Sequence, residues 1–388
     1  MQIITTTEAL AAFCEQAHAA PYVTLDTEFI RERTYYARLC LIQMALPGPD
    51  GPDGGPAVLV DPLAAGISLA PLYALLRDEG TVKVFHAARQ DLEIFHVEGR
   101  TFPRPLFDTQ VAAMVCGYGD QVGYETLVRK LARGSMDKSS RFTDWARRPL
   151  SEAQMAYALA DVTHLRVIYE KLAAKLAQSG RGPWVEEEIA ALIDPATYAA
   201  DPANAWQRIK ARSSSGRFLA VLRELARFRE EFAQSRDVPR NRVIKDDALV
   251  ELASLKPATL DDLSRARLLL REARRGEIAE GLLRAVRIGM ETRPEDFPAL
   301  PPQREAAQVN PALADLLRVL LKAKSEETGV AARLIATAAD LDAIAAGERD
   351  VQALQGWRVE VFGRDALRLC EGRIALGARG GSVRVMDL

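Results

Sequence analysis

The chain has 388 residues, of which 48% are hydrophobic and 27% charged, and this composition is too apolar for a disordered protein. At roughly 150 residues per domain, the length predicts two or three domains. No apolar run approaches the ~20 residues that a membrane-spanning helix needs, and the first residues include acids rather than a basic stretch before an apolar one. We therefore expect a cytoplasmic monomer that makes no membrane contact.

The cysteines give no sign of a disulfide framework or a zinc site. Four are present, namely Cys14, Cys40, Cys116 and Cys370. They lie far apart, form no CxxC pair and have apolar neighbours, as in LCLIQM and VAAMVC. This pattern favours thiols buried in a core, in a reducing compartment, over a zinc or redox site.

The net charge of −2 is divided unevenly along the chain. Residues 1–204 carry 19 basic and 26 acidic side chains, residues 205–293 carry 20 and 13, and residues 294–388 carry 12 and 14. The net charges of these segments are therefore −7, +7 and −2. A small basic module beside a larger acidic one favours a polyanion-binding domain, with chance variation of solvated helix faces as the alternative.

The first 110 residues alternate short apolar runs with helical stretches, as expected for an α/β domain. Runs rich in β-branched and aromatic residues predict strands at 22–29, 37–46, 57–61 and 82–87. Apolar spacing predicts helices at 69–78 and 88–97, and nearly continuous helix from about 109 to 178. Residues 47–56 are rich in Pro and Gly and predict a surface loop, without the glycine spacing typical of phosphate binding.

The rest of the chain is predicted to be helical, in two modules. Residues 194–206 contain two Asp-Pro steps and predict a linker, and a Pro-rich break follows at 295–311. The predicted helices are at 216–234, 246–255, 259–266 and 279–290, and then at 311–329, 331–337 and 340–347. The similar order of elements suggests a diverged repeat, and we predict domains at 1–204, 205–293 and 294–388. The acidic run VEEEI at 185–189 is interpreted as a solvated helix face.

Two carboxylates in LDTEF are the sharpest local signal. Asp26 and Glu28 are two residues apart in a predicted strand, so their side chains should lie on the same face. Like charges held this close destabilise the fold unless something positive neutralises them, and a divalent cation is the usual solution. An exposed polar strand edge is the alternative interpretation for this pair taken alone.

Three more residues join this pair as candidates. Asp91 follows a strand at the start of a helix, where it could either cap the helix or face the strand ends. Tyr157 and Asp161 are four residues apart, so they share one helix face, although such a pair is commonly a plain surface contact. His86 and His164 lie near these acids and are interpreted as packing residues.

These residues follow the order DxE, D, YxxxD, and in this order the chain resembles the tyrosine subclass of the DEDD superfamily of 3'-to-5' exonucleases. The three motifs are LDTEF, HAARQDLEIF and YALADVTHL. The histidine subclass would carry histidine where this chain has Ala156. The flanks FDTQVAAMVCGYG, VGYETLV and DKSSRFTDWARRPLSEAQMAYALADV are similar to ribonuclease D over residues 1 to about 178. An HRDC-type domain at about 210–290 and a weaker match at about 311–378 also fit that family.

The resemblance implies a ribonuclease H-like α/β exonuclease domain followed by two all-α HRDC-like domains. It further implies that Asp26, Glu28 and Asp161 ligate a first Mg²⁺ or Mn²⁺, that Asp26 bridges to a second ion and that Asp91 holds that second ion. Tyr157 would position the attacking water, since a free phenol with a pKa near ~10 is a poor base at neutral pH.

The function implied is a metal-dependent 3'-to-5' exoribonuclease that trims structured RNA precursors, with tRNA as the substrate class and 5'-mononucleotides as products. A DNA exonuclease of the same subclass and a catalytically inactive nucleic-acid-binding protein stay open as alternatives. Arg271, Arg274 and Arg275 lie in an arginine-dense stretch of the basic module and are weak candidates for RNA contact, with helix solubilisation as the other interpretation. Arg89, Gln90 and Arg141 could also touch phosphate.

Overall fold

The computed structural model describes residues 1–137, 140, 143–211, 213, 215–299 and 309–388. These residues form two compact units. Unit 1 comprises Met1–Phe29, Leu39–Thr197 and the described C-terminal residues, whereas unit 2 comprises Ile30–Arg38 and the described residues from Tyr198 to 299. The first and last predicted domains share unit 1, so the division at 204 and 293 stays a prediction. Arg141 and residues 300–308 of the predicted Pro-rich break lie outside the described residues.

Unit 1 is built on a six-stranded sheet. Its strands are β1 (Gln2–Ile4), β2 (Tyr22–Ile30), β3 (Arg38–Ala45), β4 (Ala57–Val60), β5 (Val82–Phe85) and β6 (Leu106–Asp108). They are ordered β1-β4-β3-β2-β5-β6, with β2, β5 and β6 parallel and with β3 antiparallel to β4. The four predicted strands are confirmed. β1 and β6 were not predicted because three residues are too few to show an alternating pattern.

Helices surround this sheet. They are α1 (Thr7–His18), α2 (Ala70–Arg77), α3 (Arg89–Gly99), α4 (Thr109–Val115), α5 (Tyr124–Leu127), α6 (Glu152–Ser179) and α7 (Gly182–Leu192). A π-helical turn, Val128–Ala132, follows α5. The prediction of nearly continuous helix to residue 178 is wrong, because the described residues between 133 and 150 form no helix. There the Arg148 guanidinium binds the Asp61 carboxylate, with two N–O distances of 2.7 Å, and tertiary contact replaces helical hydrogen bonding.

Unit 2 is helical, as predicted. Its helices are α8 (Gly216–Arg236), α9 (Arg240–Val243), α10 (Asp246–Leu255), α11 (Leu260–Ser264) and α12 (Gly276–Glu291), with short 3₁₀ turns at Pro202–Arg208, Glu272–Arg274 and Pro294–Asp296. α12 packs closely on α8 at two glycines. A Cβ atom added at Gly281 would lie 2.1 Å from the Phe228 ring, and one at Gly289 would lie 2.5 Å from the Val221 backbone.

Unit 2 also contains a segment that the sequence analysis assigned to the N-terminal domain, Ile30–Arg38. The Tyr35 hydroxyl donates to the fully buried Glu230 carboxylate, while Arg240 donates to the Tyr35 oxygen at 2.7 Å and stacks over its ring. The Asp237 carboxylate accepts hydrogen bonds from the backbone N–H groups of Tyr35 and Tyr36 at 3.0 and 3.1 Å. The loop after β2 is therefore held by unit 2.

The C-terminal part of unit 1 is not all-α. It contains α13 (Pro311–Thr328), α14 (Ala332–Ile335), α15 (Ala338–Ala345) and α16 (Arg364–Cys370), a 3₁₀ turn at Gln352–Leu354, a π-helical turn at Val359–Gly363, and the antiparallel hairpin of β7 (Ile374–Arg379) and β8 (Ser382–Asp387). The prediction of two all-α modules is wrong here. Gly380 and Gly381 both have positive φ, which a tight hairpin turn requires.

This C-terminal part packs on α7. Trp357 stacks on Trp184 with ring centroids 4.7 Å apart and donates from its indole N–H to Glu188 at 3.1 Å. The buried Arg358 guanidinium pairs with Glu188 and Glu187. The interpretation of VEEEI as a solvated face is wrong for Glu188, which is largely covered because the buried guanidinium needs a counter-charge, whereas Glu187 is exposed as expected.

Two further expectations bear on the fold. Cys14, Cys40 and Cys116 are buried and Cys370 is half-buried, and none of the four forms a disulfide, which confirms them as packed thiols. Within the described part of the chain, the helices are all too short or too polar to cross a membrane.

Candidate active site

Side chains alternate between the two faces of β2, so Thr24, Asp26 and Glu28 lie on the same face. Thr24 connects this strand to α6. The Thr24 hydroxyl donates to the Val162 carbonyl of α6 at 2.9 Å. Asp26 and Glu28 follow on the same face, and the next residue back along α6 is Asp161. One carboxylate oxygen from each of these three residues lies within 4.8 Å of the others. The predicted placement of the Asp26 and Glu28 side chains on one face of β2 is confirmed, and α6 contributes the third carboxylate, Asp161.

The position of α6 is set at its first turn. Ser151 and Gln154 form a capping box, in which the Gln154 N–H donates to the Ser151 hydroxyl at 3.2 Å and the Ser151 N–H donates to the Gln154 side chain at 3.0 Å. One and a half turns later Tyr157 faces the cavity above the carboxylates, with its ring centroid 6.1 Å from that of Trp145. The helix therefore presents Tyr157 and Asp161 together, as their four-residue spacing predicts.

Asp91 lies in the first turn of α3 and is buried, but it is not among the three clustered carboxylates. The Asp108 carboxylate fixes the start of this helix by accepting the N–H groups of Ala87 at 3.0 Å and Ala88 at 2.8 Å, and Ala87 adopts a positive φ of 58° in that turn. The Asp91 carboxylate accepts a hydrogen bond from the Thr27 hydroxyl. Its contact with β2 means that Asp91 does more than cap a helix.

Burial and like charge raise the pKa values of these acids. Burial and then the charges of Asp161, Asp91 and Glu28 hold the pKa of Asp26 well above its usual range. Burial raises the pKa of Asp91 to about 7, although its hydrogen bond from Thr27 opposes that change. Without a counter-charge, the site therefore disfavours the ionised forms of Asp26 and Asp91.

The donor set fits a hard divalent cation. The clustered ligand atoms are carboxylate oxygens, with no histidine or cysteine among them, and such oxygens suit Mg²⁺ or Mn²⁺ better than zinc. A cation there would supply the positive charge that the clustered carboxylates otherwise lack. The fit rests on the raised pKa values as well as on the distances.

The carboxylates lie at one side of an open cavity of about 530 Å³. Its lining includes Asp26, Glu28, Tyr157 and Asp161, with Phe29, His86, Gln90, Tyr124 and Met136. An open cavity of this size is large enough to admit a nucleotide-sized group.

Two of these lining residues are placed by contacts that the sequence analysis missed. The Tyr124 hydroxyl donates to the Asp161 carbonyl at 2.6 Å, and its ring lies 5.3 Å from His86. The Thr109 hydroxyl lies 3.0 Å from the Phe85 carbonyl oxygen and forms a 3.0 Å hydrogen bond with His86 Nδ1. Burial lowers the pKa of His86, which favours the neutral ring. VGYETLV contains Tyr124, but no spacing rule marks it.

The three arginines proposed for RNA contact lie in unit 2, around the 3₁₀ turn Glu272–Arg274. Arg271 and Arg275 are exposed. Arg274 instead donates to the Ala266 carbonyl at 2.7 Å and the Leu269 carbonyl at 3.0 Å, so its guanidinium is used within the fold. RNA contact stays a prediction for all three, and Arg274 is the poorest candidate.

Comparisons with known proteins agree with this geometry. A family described as 3'-5' exonuclease matches residues 1–177, and the HRDC domain family matches residues 218–286. The chain is 61% identical to ribonuclease D of Jannaschia sp. (strain CCS1), over 99% of both chains. It is 48% identical to ribonuclease D of Granulibacter bethesdensis, over 99% of this chain and 96% of that one.

Solved structures show the same likeness. A crystal structure of Escherichia coli RNase D, described as an exoribonuclease involved in structured RNA processing, is 31% identical, with a TM-score of 0.81 over 96% of this chain and 98% of that one. The catalytic core of RRP6 from Trypanosoma brucei shares the fold at 20% identity, with a TM-score of 0.56 over 74% of this chain and 79% of that one. The HRDC match covers one module, so a second HRDC-like domain at 294–388 stays a prediction.

Proposed function

The chain belongs to the ribonuclease D family and is a 3'-to-5' exoribonuclease, and on that premise we propose that it trims the 3' ends of structured RNA precursors, with tRNA precursors as its substrate class. The observation that carries this proposal is the cluster of Asp26, Glu28 and Asp161 beside an open cavity. The similarity to Escherichia coli RNase D, which processes structured RNA, supports the substrate class.

Asp26, Glu28 and Asp161 would hold one divalent cation, and Asp91 would hold a second together with Asp26. When bound, Mg²⁺ or Mn²⁺ ions supply positive charge that offsets the negative charge developing on a phosphodiester during in-line displacement. The chain's part is to fix the carboxylates before substrate arrives. Thr24 and Tyr124 do so for Asp161 through main-chain hydrogen bonds, and Thr27 does so for Asp91.

Tyr157 would hold the attacking water in line with the terminal phosphodiester. A free tyrosine keeps its proton at neutral pH, so its hydroxyl is suited to orienting the water rather than to removing a proton. Attack on phosphorus would break the bond to the 3' oxygen of the penultimate nucleotide and release a 5'-mononucleotide. Unit 2, whose HRDC-matched residues lie in the +7 segment, would attract the RNA, with Arg271 and Arg275 as exposed contacts.

A direct assay tests the substrate and the metal together. The full chain is incubated with a 3'-extended tRNA, a single-stranded RNA and a single-stranded DNA of the same sequence, each with Mg²⁺, with Mn²⁺ or with EDTA. We expect stepwise 3' shortening of both RNAs, release of 5'-mononucleotides and no reaction in EDTA. Glu15→Gln, an exposed carboxylate change on α1, serves as the control variant and should react as the wild type does. Faster cleavage of DNA than of RNA, or undiminished activity in EDTA, would contradict the proposal.

A further inference from the structure

Unit 2 carries a groove of about 520 Å³ between the end of α10 and the outer face of α12. Three cationic side chains line it, namely Lys256, Arg284 and Arg287. Leu283, Val286 and Met290 add apolar surface, and one carboxylate, Glu280, also lines it. The groove therefore combines excess positive charge with an apolar lining.

The packing of α12 explains why the arginines face outward. Gly281 and Gly289 lie on the side that approaches α8, where an added Cβ would collide with Phe228 or with the Val221 backbone. Arg284 and Arg287 are exposed on the other side, three residues apart and about 4.5 Å apart along the helix axis. Any rotation that buried them would also pull the two glycines out of contact with α8.

Lys256 reaches the groove from the other wall. It ends α10 in a left-handed conformation, with φ of 51°, and its N–H donates to the Leu252 carbonyl at 2.8 Å. Its side chain is half-buried beside the buried Pro257. The chain reversal at this point therefore brings a third cation toward the two arginines.

Among the described residues, these three cations have no acidic partner, whereas several arginines of unit 2 do. Arg227 pairs with Glu231 at 2.8 Å, and Arg236 pairs with Glu277 at 2.7 Å. Within residues 215–299, and in the rest of the described chain, no ion pair or side-chain hydrogen bond involves Lys256, Arg284 or Arg287. A ligand anion could therefore bind them without first breaking an internal ion pair.

We propose that this groove binds the sugar–phosphate backbone of a single-stranded RNA segment, with Lys256, Arg284 and Arg287 contacting phosphates and with Leu283 and Met290 packing against a ribose or base. The proposal rests on the proposed function, because RNA is the polyanion that an exoribonuclease meets. It names a surface separate from Arg271 and Arg275. An acidic polypeptide could also bind cations, but the apolar lining suits the faces of nucleotides, and the +7 charge of residues 205–293 attracts a dense polyanion.

The test compares two double variants of the full chain that lose the same charge. Arg284→Ala/Arg287→Ala removes the unpaired groove cations, whereas Arg227→Ala/Arg236→Ala removes two paired arginines of α8. Binding of a fluorescein-labelled 12-nucleotide RNA and of a 3'-extended tRNA is measured by anisotropy in EDTA, from 50 to 200 mM KCl.

We expect the groove variant to bind the 12-nucleotide RNA about tenfold more weakly at 100 mM KCl. Because each lost phosphate contact flattens the slope of log K against log salt by about 0.7, its slope should flatten by about 1.4. The paired-arginine variant should change affinity by less than twofold, since its guanidinium groups already face carboxylates. Hydrolysis of a dinucleotide with Mg²⁺ should be equal in wild type and both variants, which separates failure of the groove from failure of the proposed function.

Three outcomes would overturn the proposal. The first is equal affinity and equal salt slope for the groove variant and the paired-arginine variant. The second is that the wild type binds polyglutamate and the groove variant does not, while both bind RNA equally. That result would indicate an acidic protein partner. If the double variant unfolds by circular dichroism, Arg287→Glu replaces it. That single charge reversal should weaken RNA binding more than Arg236→Glu does, and equal effects would be the third contradicting outcome.

Discussion

Replacing Asp91 with asparagine should stabilise the metal-free protein at pH 8. Burial raises the pKa of Asp91 from 3.8 to about 7, so the native state keeps a proton that the unfolded chain has already lost. For an acid with a raised native pKa, native stability falls as pH rises from about 4 to about 7, because the native state binds more protons in that window. At about 1.4 kcal/mol per pKa unit, the complete loss is on the order of 4 kcal/mol.

The variant does not lose this stability, because asparagine does not ionise. Its amide oxygen can accept the hydrogen bond from the Thr27 hydroxyl as the carboxylate does. Between pH 5 and pH 8 the stability advantage of Asp91→Asn over wild type should grow by about 3 kcal/mol. For a protein of 388 residues, that corresponds to roughly 4 °C in Tm.

Calorimetry and circular dichroism in EDTA at pH 5, 6, 7 and 8 measure the advantage directly. Asp50→Asn, a change in the exposed loop before β4, is the control and should give a difference that does not vary with pH. Saturating Mg²⁺ should raise the Tm of wild type more than that of Asp91→Asn, which keeps the three carboxylates proposed for the first ion but lacks a ligand of the second. A stability difference that is constant from pH 5 to pH 8 would refute the assignment of a raised pKa to this buried acid.

Four further substitutions test the site. Asp26→Ala and Glu28→Ala should each lower the hydrolysis rate by orders of magnitude while RNA binding in a filter assay stays near wild type, and retention of a tenth of the rate by both would contradict the metal assignment. Tyr157→Phe keeps the ring, so the rate should fall by a factor on the order of 10² with an unchanged Mg²⁺ titration midpoint, and a fully active variant would show that the hydroxyl only packs. Thr24→Val removes the hydrogen bond to α6, so kcat should fall about tenfold and stability by about 1 kcal/mol in urea unfolding, whereas an unaltered kcat would mean that packing alone positions Asp161.

The carboxylate cluster could be predicted from the sequence because the periodicities that create it are local. Asp26 and Glu28 follow the two-residue repeat of a strand, and Tyr157 and Asp161 follow the four-residue repeat of a helix. Their meeting depends on Thr24, whose contact with Val162 spans 138 residues of sequence, and no local pattern encodes it. The order of motifs in a known family supplied that step.

Other errors have identifiable physical causes. The C-terminal hairpin was missed although alternating residues flank Gly380 and Gly381, because its short runs were considered as part of a helical repeat. Glu188 was taken as solvated because its partner, Arg358, is 170 residues away. Tyr124 lacked any signal of its own, since its role depends on a carbonyl group of α6.

The anchoring of Tyr35 has a consequence for dissecting this protein into fragments. Cleavage by a protease within 194–206 severs the chain at the predicted linker, but Ile30–Arg38 stays bound among Glu230, Asp237 and Arg240. The two fragments should therefore co-elute in gel filtration after the nick. An exonuclease fragment produced without unit 2 would leave Tyr35 and Tyr36 without these partners, directly after the strand that carries Asp26 and Glu28. A chimera made by joining unit 2 to another exonuclease domain at the linker would therefore lack part of unit 2. The loop after β2, Ile30–Arg38, would have to be transferred together with it.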